Sequence, residues 1–174
     1  MRLETPRLVI RSFEPGDAEG LFRVFADPDV RRYLPPAPEP TIERMRAAVQ
    51  RRIDTERERG YALWAVLRRD TGELIGNCGL MPVEGIGPEV ELAYHYAHAV
   101  WNQGFGTEAA VACLAHGLGP IGLDRIIAIC FPDNVGSWRV MEKAGMRYEG
   151  IASYYGLAGL KKYVADRGGW SARR

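Results

Sequence analysis

The chain has 174 residues, 47% of them hydrophobic and 26% charged, and its 23 basic and 22 acidic residues leave a net charge of +1. Those proportions suit one globular domain with a real core, and they argue against nucleic-acid binding by phosphate neutralisation, which needs a basic excess or stripe. No apolar run reaches the roughly 18 residues of a membrane helix, the opening MRLETPRLVI lacks a signal peptide's apolar stretch, and Cys78, Cys113 and Cys130 form no CxxC, so neither membrane, secretory leader, disulfide framework nor zinc site is expected.

In chain order, Leu8–Phe13 reads as a strand, Glu14-Pro15-Gly16-Asp17 as a turn, and Ala18–Phe25 as a helix with Leu21, Val24 and Phe25 on one side. A brief helical turn follows Asp27-Pro28-Asp29, and the prolines of Leu34–Pro40 then prevent regular structure. Thr41 can cap a helix to Arg59 that carries Ile42, Met45, Val49 and Ile53 at helical spacing. The Arg- and Glu-rich remainder of that helix reads as a solvated face. Tyr61–Arg69 and Leu74–Met81 form a hairpin around Asp70-Thr71-Gly72-Glu73, and Glu89–Tyr96 is the next strand.

The second half alternates. A helix from Thr107 to Leu118 follows Asn102-Gln103-Gly104-Phe105-Gly106, Leu123–Phe131 is a strand, and Val135–Ala144 is a helix closed by Gly145. Met146–Ile151 and Lys161–Ala165 are short closing strands, with a loop at Ser153–Leu160 between them. The fold expected is α/β of the α+β type: antiparallel hairpins, then strand–helix–strand–helix, with residues 1–174 as a single domain.

Two stretches carry candidate chemistry. In Glu89–Ala110 a strand ends, two glycines follow, and a helix begins. Backbone N–H groups at a helix start lack partners and favour anions, and glycine lets a phosphate reach them. Gln103–Thr107 can therefore cradle a phosphate or pyrophosphate; a tight turn is the alternative reading. No Gly-Lys-Ser/Thr marks a P-loop, and the third glycine of a dinucleotide fingerprint is absent. In Asp124–Gly145, Asn134 can cap a helix with Ser137 one turn in, or both can project polar groups into a cleft between diverging strands. Ser137 has no His/Asp partner in the sequence, so it suits proton donation better than nucleophilic attack.

WNQGFGTEAA followed by DNVGSWRVMEKAGM resembles the GNAT superfamily of N-acetyltransferases, and most of all its Rim-type branch of ribosomal-protein amino-terminal acetyltransferases. TPRLVIRSFEPGDAEGL at the start, Leu74–Leu80 and Glu91-Leu92-Ala93-Tyr94 resemble the same branch, so the likeness runs in order along nearly the whole chain. It implies a single GNAT-like domain, with a mixed, mostly antiparallel sheet of about six or seven strands and a splayed central pair. It also implies direct transfer of an acetyl group from acetyl-CoA to a primary amine, on a protein amino terminus or a small molecule.

Residue by residue, the resemblance places Trp101 at the first position of the phosphate loop, where most of the superfamily has Arg or Gln. Gln103, Gly104, Phe105, Gly106 and Thr107 would hold the CoA pyrophosphate, Asn134 would lie by the pantetheine arm, and Ser137 would protonate the departing thiolate. Glu91 is the candidate base, acting through water; a solvated acidic patch with Glu89 is the alternative. No metal is expected: His95 and His98 have no third ligand nearby in sequence, and His95 reads as a partly exposed structural residue. Tyr94, Tyr96 and Trp138 read as core. Tyr154 and Tyr155 read as packing or as part of an acceptor pocket made with Leu34–Pro40 and the helix after it. A binding module that keeps acyl-CoA without turnover is the competing function, and a cytoplasmic location and a homodimer complete the expectations.

Overall fold

The computed structural model describes residues 1–171. Chain order runs β1 (Arg2–Glu4), β2 (Leu8–Arg11), α1 (Ala18–Ala26), α2 (Pro28–Arg31), α3 (Ile42–Arg59), β3 (Leu63–Arg68) and β4 (Leu74–Pro82), then β5 (Val90–Tyr96), α4 (Phe105–Leu118), β6 (Arg125–Cys130), α5 (Val135–Lys143), β7 (Arg147–Tyr154) and β8 (Leu157–Asp166). The strands form one eight-stranded sheet in the order β1-β2-β3-β4-β5-β6-β8-β7.

Period-two alternation decides which side chains meet which helices. Trp64 and Val66, Cys78 and Leu80, and Leu92 and Tyr96 point to one face, where Ala109, Ala110, Cys113 and Leu114 of α4 and Met141 of α5 complete the main core. The other face is covered by α1 and α3, which bury Leu21 and Val49 against Ala65 with Phe13. All three cysteines are buried and unpaired, as small apolar side chains in these layers. No described helix is long and apolar enough to cross a membrane.

Every neighbouring pair in the sheet is antiparallel except β5 and β6, which run parallel and keep a single register pair, Glu91 with Ile127. The β4–β5 pair, by contrast, stays in register from Gly76–Tyr96 to Pro82–Val90. From Glu91 onward, the β5 edge facing β6 therefore has no strand partner, and the two strands splay apart at the centre of the sheet.

The differences from the expected elements have local causes. β1 is three residues long with Arg2 and Glu4 exposed, the charged and brief form that edge strands take and one that gives no apolar alternation to read. The segment expected as a loop, Ser153–Leu160, is instead part of a long β7–β8 hairpin. Its turn is Tyr155-Gly156, with φ of 56° and 71°; tyrosine in the left-handed region is rare, so no turn signal marks it. Register shifts at Tyr148/Gly150 and Ala152/Tyr154 interrupt the alternation further. Helix α4 starts at Phe105, two residues before Thr107, because Gly104 already serves as its left-handed N-cap at φ 84°.

Candidate functional site

The mouth of the splay is built by the turn into α4. No side chain caps this helix, and the first bond into it runs from the Glu108 N–H to the Gly104 carbonyl at 3.1 Å. The N–H groups of Phe105, Gly106 and Thr107 are thus left without backbone acceptors among the described residues. Gly106 packs against Tyr96 and Val140, where an added Cβ would stand 3.4 Å from each, an ordinary contact. Phe105 presents only its backbone here, since its ring is buried beneath the Arg7 guanidinium at 4.4 Å. Trp101 and Gln103 brace the loop from behind. The Trp101 indole donates to the Tyr96 carbonyl at 2.9 Å, and Gln103 donates to the Ala99 carbonyl at 2.9 Å.

Arg7, which sequence reasoning passed over, ties this loop to the amino-terminal hairpin. It donates to Glu108 at 2.7 Å and to the Gln103 carbonyl at 2.9 Å. The TPRL segment and the start of α4 are about a hundred residues apart, so only the folded chain joins them.

Deeper in the splay, Asn134 caps α5: its Oδ1 accepts from the Ser137 N–H at 3.2 Å. Capping and projection into the cleft are therefore compatible, because the cap places Ser137 one turn into the helix beside β5. There the Tyr94 hydroxyl donates to the Ser137 carbonyl at 2.8 Å and stands 3.0 Å from Ser137 Oγ. Burial pushes the Tyr94 hydroxyl far above its ordinary range; it stays protonated and can give a hydrogen bond. Tyr94, expected only as core, thus ends in a polar contact inside the cleft, whereas Tyr96 is core as expected.

Glu91 sits where β5 and β6 last touch, with 7% of its surface exposed. Burial is the main influence on its carboxyl and raises it to about 7, against the opposing hydrogen bond from Tyr155. That bond, from the Tyr155 hydroxyl, is 2.7 Å long. Glu89 has a different environment: burial alone would raise it, but hydrogen bonds from Lys162 and Tyr154 outweigh that and hold it below the usual range. Burial holds the Glu91 carboxyl's pKa near 7, while Glu89 is held below the usual range. This is how neighbouring acids acquire separate roles.

Tyr154 and Tyr155 are therefore hydrogen-bond donors to Glu89 and Glu91, not simply packing. Beside them Glu84, Ile86, Pro88, Glu89, Ser153 and Tyr154 line an open cavity of about 290 Å³. Just before the proline-rich segment, the Tyr33 hydroxyl donates to the Asp133 carbonyl at 3.4 Å.

The two histidines part company. His95 lies on the same face of β5 as Glu91, with Nδ1 3.0 Å from Asn77 Oδ1, and burial followed by the nearby Arg52 charge lowers it to about 4. It is neutral at physiological pH and half-buried, as a strand-end position predicts, with the Phe25 ring of α1 5.3 Å away. His98 points to the surface, 3.8 Å from Asp27 and 3.5 Å from Asp29. The sequence could not supply these neighbours, since they come from the α1–α2 junction.

Together these groups offer an anion cradle at a helix start, a cleft between two separated strands, a buried carboxyl able to take up a proton near neutrality, and a pair of hydroxyls. Residues 7–147 match the family model described as an acetyltransferase (GNAT) domain. Among curated proteins, the chain is 33% identical over 153 residues to the uncharacterized N-acetyltransferase YoaA of Bacillus subtilis, a match covering 88% of this chain and 86% of that one. Among solved structures, it is similar to a GNAT-family acetyltransferase from Bacillus anthracis, at 29% identity and a TM-score of 0.82 over 97% of this chain and 99% of the other. It also shares the fold of a ribosomal L7/L12 α-N-protein acetyltransferase solved with coenzyme A, at 18% identity and a TM-score of 0.80 over 95% and 98% of the two chains.

Proposed function

This chain belongs to the GNAT acetyltransferase family and is an acyltransferase enzyme, and we propose that it moves the acetyl group of acetyl-CoA directly onto a primary amine, with residues 1–174 forming one catalytic domain. The observation that carries the reading is the lone Glu91–Ile127 pairing between β5 and β6. It opens a slot with a protonatable carboxyl at its base and the uncapped start of α4 at its mouth.

The residues present suit coenzyme A. The free N–H groups of Phe105, Gly106 and Thr107 take the pyrophosphate, with Trp101 and Gln103 bracing the loop and Gly104 allowing close approach. The unpartnered β5 edge takes the amide-bearing arm beside Asn134. When bound, acetyl-CoA supplies a thioester carbonyl open to attack by an amine.

The chain's own groups manage the protons. An amine must be neutral to attack, and Glu91, raised to about 7, accepts its proton through Tyr155 or water. N–H groups on the free edge of β5 stabilise negative charge growing on the acetyl oxygen. Ser137 Oγ, in contact with the Tyr94 hydroxyl, donates to the departing sulfur. No metal takes part in this scheme.

The acceptor is a protein amino terminus or a small-molecule amine, bound by the β7–β8 hairpin, the segment around Tyr33 and the face of β5. A homodimer in the cytoplasm is the expected state. Thiol release from acetyl-CoA, measured against amino-terminal peptides and amine-bearing small molecules, tests the reading. Release above background with at least one acceptor supports it. Tight binding of acetyl-CoA with no release for any of them would turn the assignment to an acyl-CoA-binding module.

A further inference from the structure

Helix α3 carries most of its arginines to solvent, but Arg52 lies on its inner side, one turn after buried Val49. Its Nε and Nη1 are buried and donate to nothing among the described residues. Its guanidinium lies 5.2 Å from the centre of the Phe13 ring, a cation–π contact that uses none of its N–H donors. No carboxylate among the described residues pairs with it, and burial, followed by the charge of Arg51, pulls it down to about 10.

The strand face beneath α3 presents a second orphan. Asn77 is fully buried at 0% exposure, and while its Oδ1 meets His95 at 3.0 Å, its Nδ2 also lacks an acceptor. Asn77 pairs directly with His95 across β4 and β5, and His95 feels the Arg52 charge. Asn77 stands opposite Ala65 across β3 and β4, and Ala65 packs with the Phe13 ring that the Arg52 guanidinium overlies, so a half-buried cation and a buried amide flank one patch of the sheet with N–H groups unspent. Burying such donors is costly unless something accepts from them, and a cationic fork beside an amide matches a carboxylate.

We infer that Arg52 and Asn77, with His95 beside them, form an anion subsite that takes a carboxylate carried by the amine acceptor. The inference rests on the acetyltransferase reading for the placement of that amine. His95 shares a face with Ala93 and Glu91, so the subsite lies about 7 Å along the strand from Ala93 and about 13 Å from Glu91. Ala93 and His95 both retain partial exposure, so the strand face between Glu91 and the subsite is reached from the Ala93 and His95 side chains. The acceptor is accordingly an amine with an acidic group about 7–13 Å away. An extended amino-terminal peptide with an acidic second to fourth residue meets that requirement, and so does a long ω-amino carboxylate.

The test is calorimetric and kinetic, on the full chain with and without Arg52→Gln. The binding arm compares ω-aminooctanoate with octylamine, and amino-terminal tetrapeptides bearing Glu or Gln at the third residue. The expected result is about tenfold or tighter binding of the acidic member of at least one pair, with the difference abolished in Arg52→Gln and partly kept in Arg52→Lys. The pair that responds identifies the source of the carboxylate. The kcat/KM ratio of acidic to neutral acceptor should fall in step. Arg52→Gln should fold with an unchanged or raised Tm, since it removes an unpartnered buried charge; a residue needed only for packing would lower Tm and leave the selectivity intact. Equal binding of both members of both pairs, or a preference that survives Arg52→Gln, overturns the subsite and leaves water as the partner of these donors. Acidic probes that bind through Arg52 without any thiol release would uphold the subsite while defeating the acetyltransferase scheme.

Discussion

Glu91 shows how one side chain's environment becomes a measurable rate law. Burial raises its carboxyl to about 7, so as a base it is inactive when protonated, and kcat/KM should climb as pH rises through about 7. Glu91→Gln should lower kcat by 10²-fold or more, on the order of general-base contributions, and flatten that rise. A profile unchanged in the variant would remove Glu91 from the proton path. The same shift has a stability consequence of opposite sense. With the folded pKa above the unfolded one, the stabilising contribution is complete below about 4.5 and is lost as pH climbs to about 7. Glu91→Gln should therefore be increasingly stabilising, relative to the parent, between pH 4.5 and 8, by up to roughly 3 kcal/mol in denaturant unfolding. Ser137→Ala should reduce turnover more than CoA affinity, because it deletes the Oγ and leaves the Tyr94 bond to the Ser137 carbonyl intact. Equal turnover would exclude Ser137 as the donor.

Among the elements, the two helix starts at the splay do different work. Asn134 satisfies the Ser137 N–H itself, so α5 closes its own end, and Asn134→Ala should cost about 1 kcal/mol of stability as well as loosening the segment that carries Ser137. Helix α4 leaves its end open. Gly104 holds φ 84°, and an added Cβ would also stand 3.3 Å from Arg7 Nη2. Gly104→Ala should cost about 1 kcal/mol for the left-handed backbone and raise the KM for acetyl-CoA, with a smaller effect on kcat. If stability falls but the acetyl-CoA KM does not move, the loop is a turn and not a cradle. The Thr41 cap on α3 was legible beforehand and is present, accepting from the Arg44 N–H. The β7–β8 hairpin was not, because its turn uses a tyrosine where glycine or asparagine is usual.

At the scale of the whole molecule, the proposed acetyl-CoA slot divides the sheet between β5 and β6, and a ligand there should couple the two halves. Acetyl-CoA at about a hundred times its Kd should add roughly 2.7 kcal/mol, or about 5–10 °C in Tm for a chain of this size. Amide exchange should slow most along β5, β6 and the first turn of α4. Stabilisation without protection on those elements would place the ligand elsewhere.

The order of the early hairpins and helices, the apolar faces of α1 and α3, the two-glycine turn, the Asn134–Ser137 pair and the family resemblance were all determined by the sequence alone. Each depends on residues close together in the chain, where periodicity and turn chemistry act. Other features were decided only by tertiary structure. Arg7 reaches the α4 loop, Tyr155 reaches Glu91, and Asp27 and Asp29 meet His98 across long stretches of chain. Arg52 was read with the solvated arginines of its helix, and nothing local marks it as the one turned beneath α3 with donors unspent. Charge and burial depend on what lies opposite a side chain, and helical spacing cannot say what that will be.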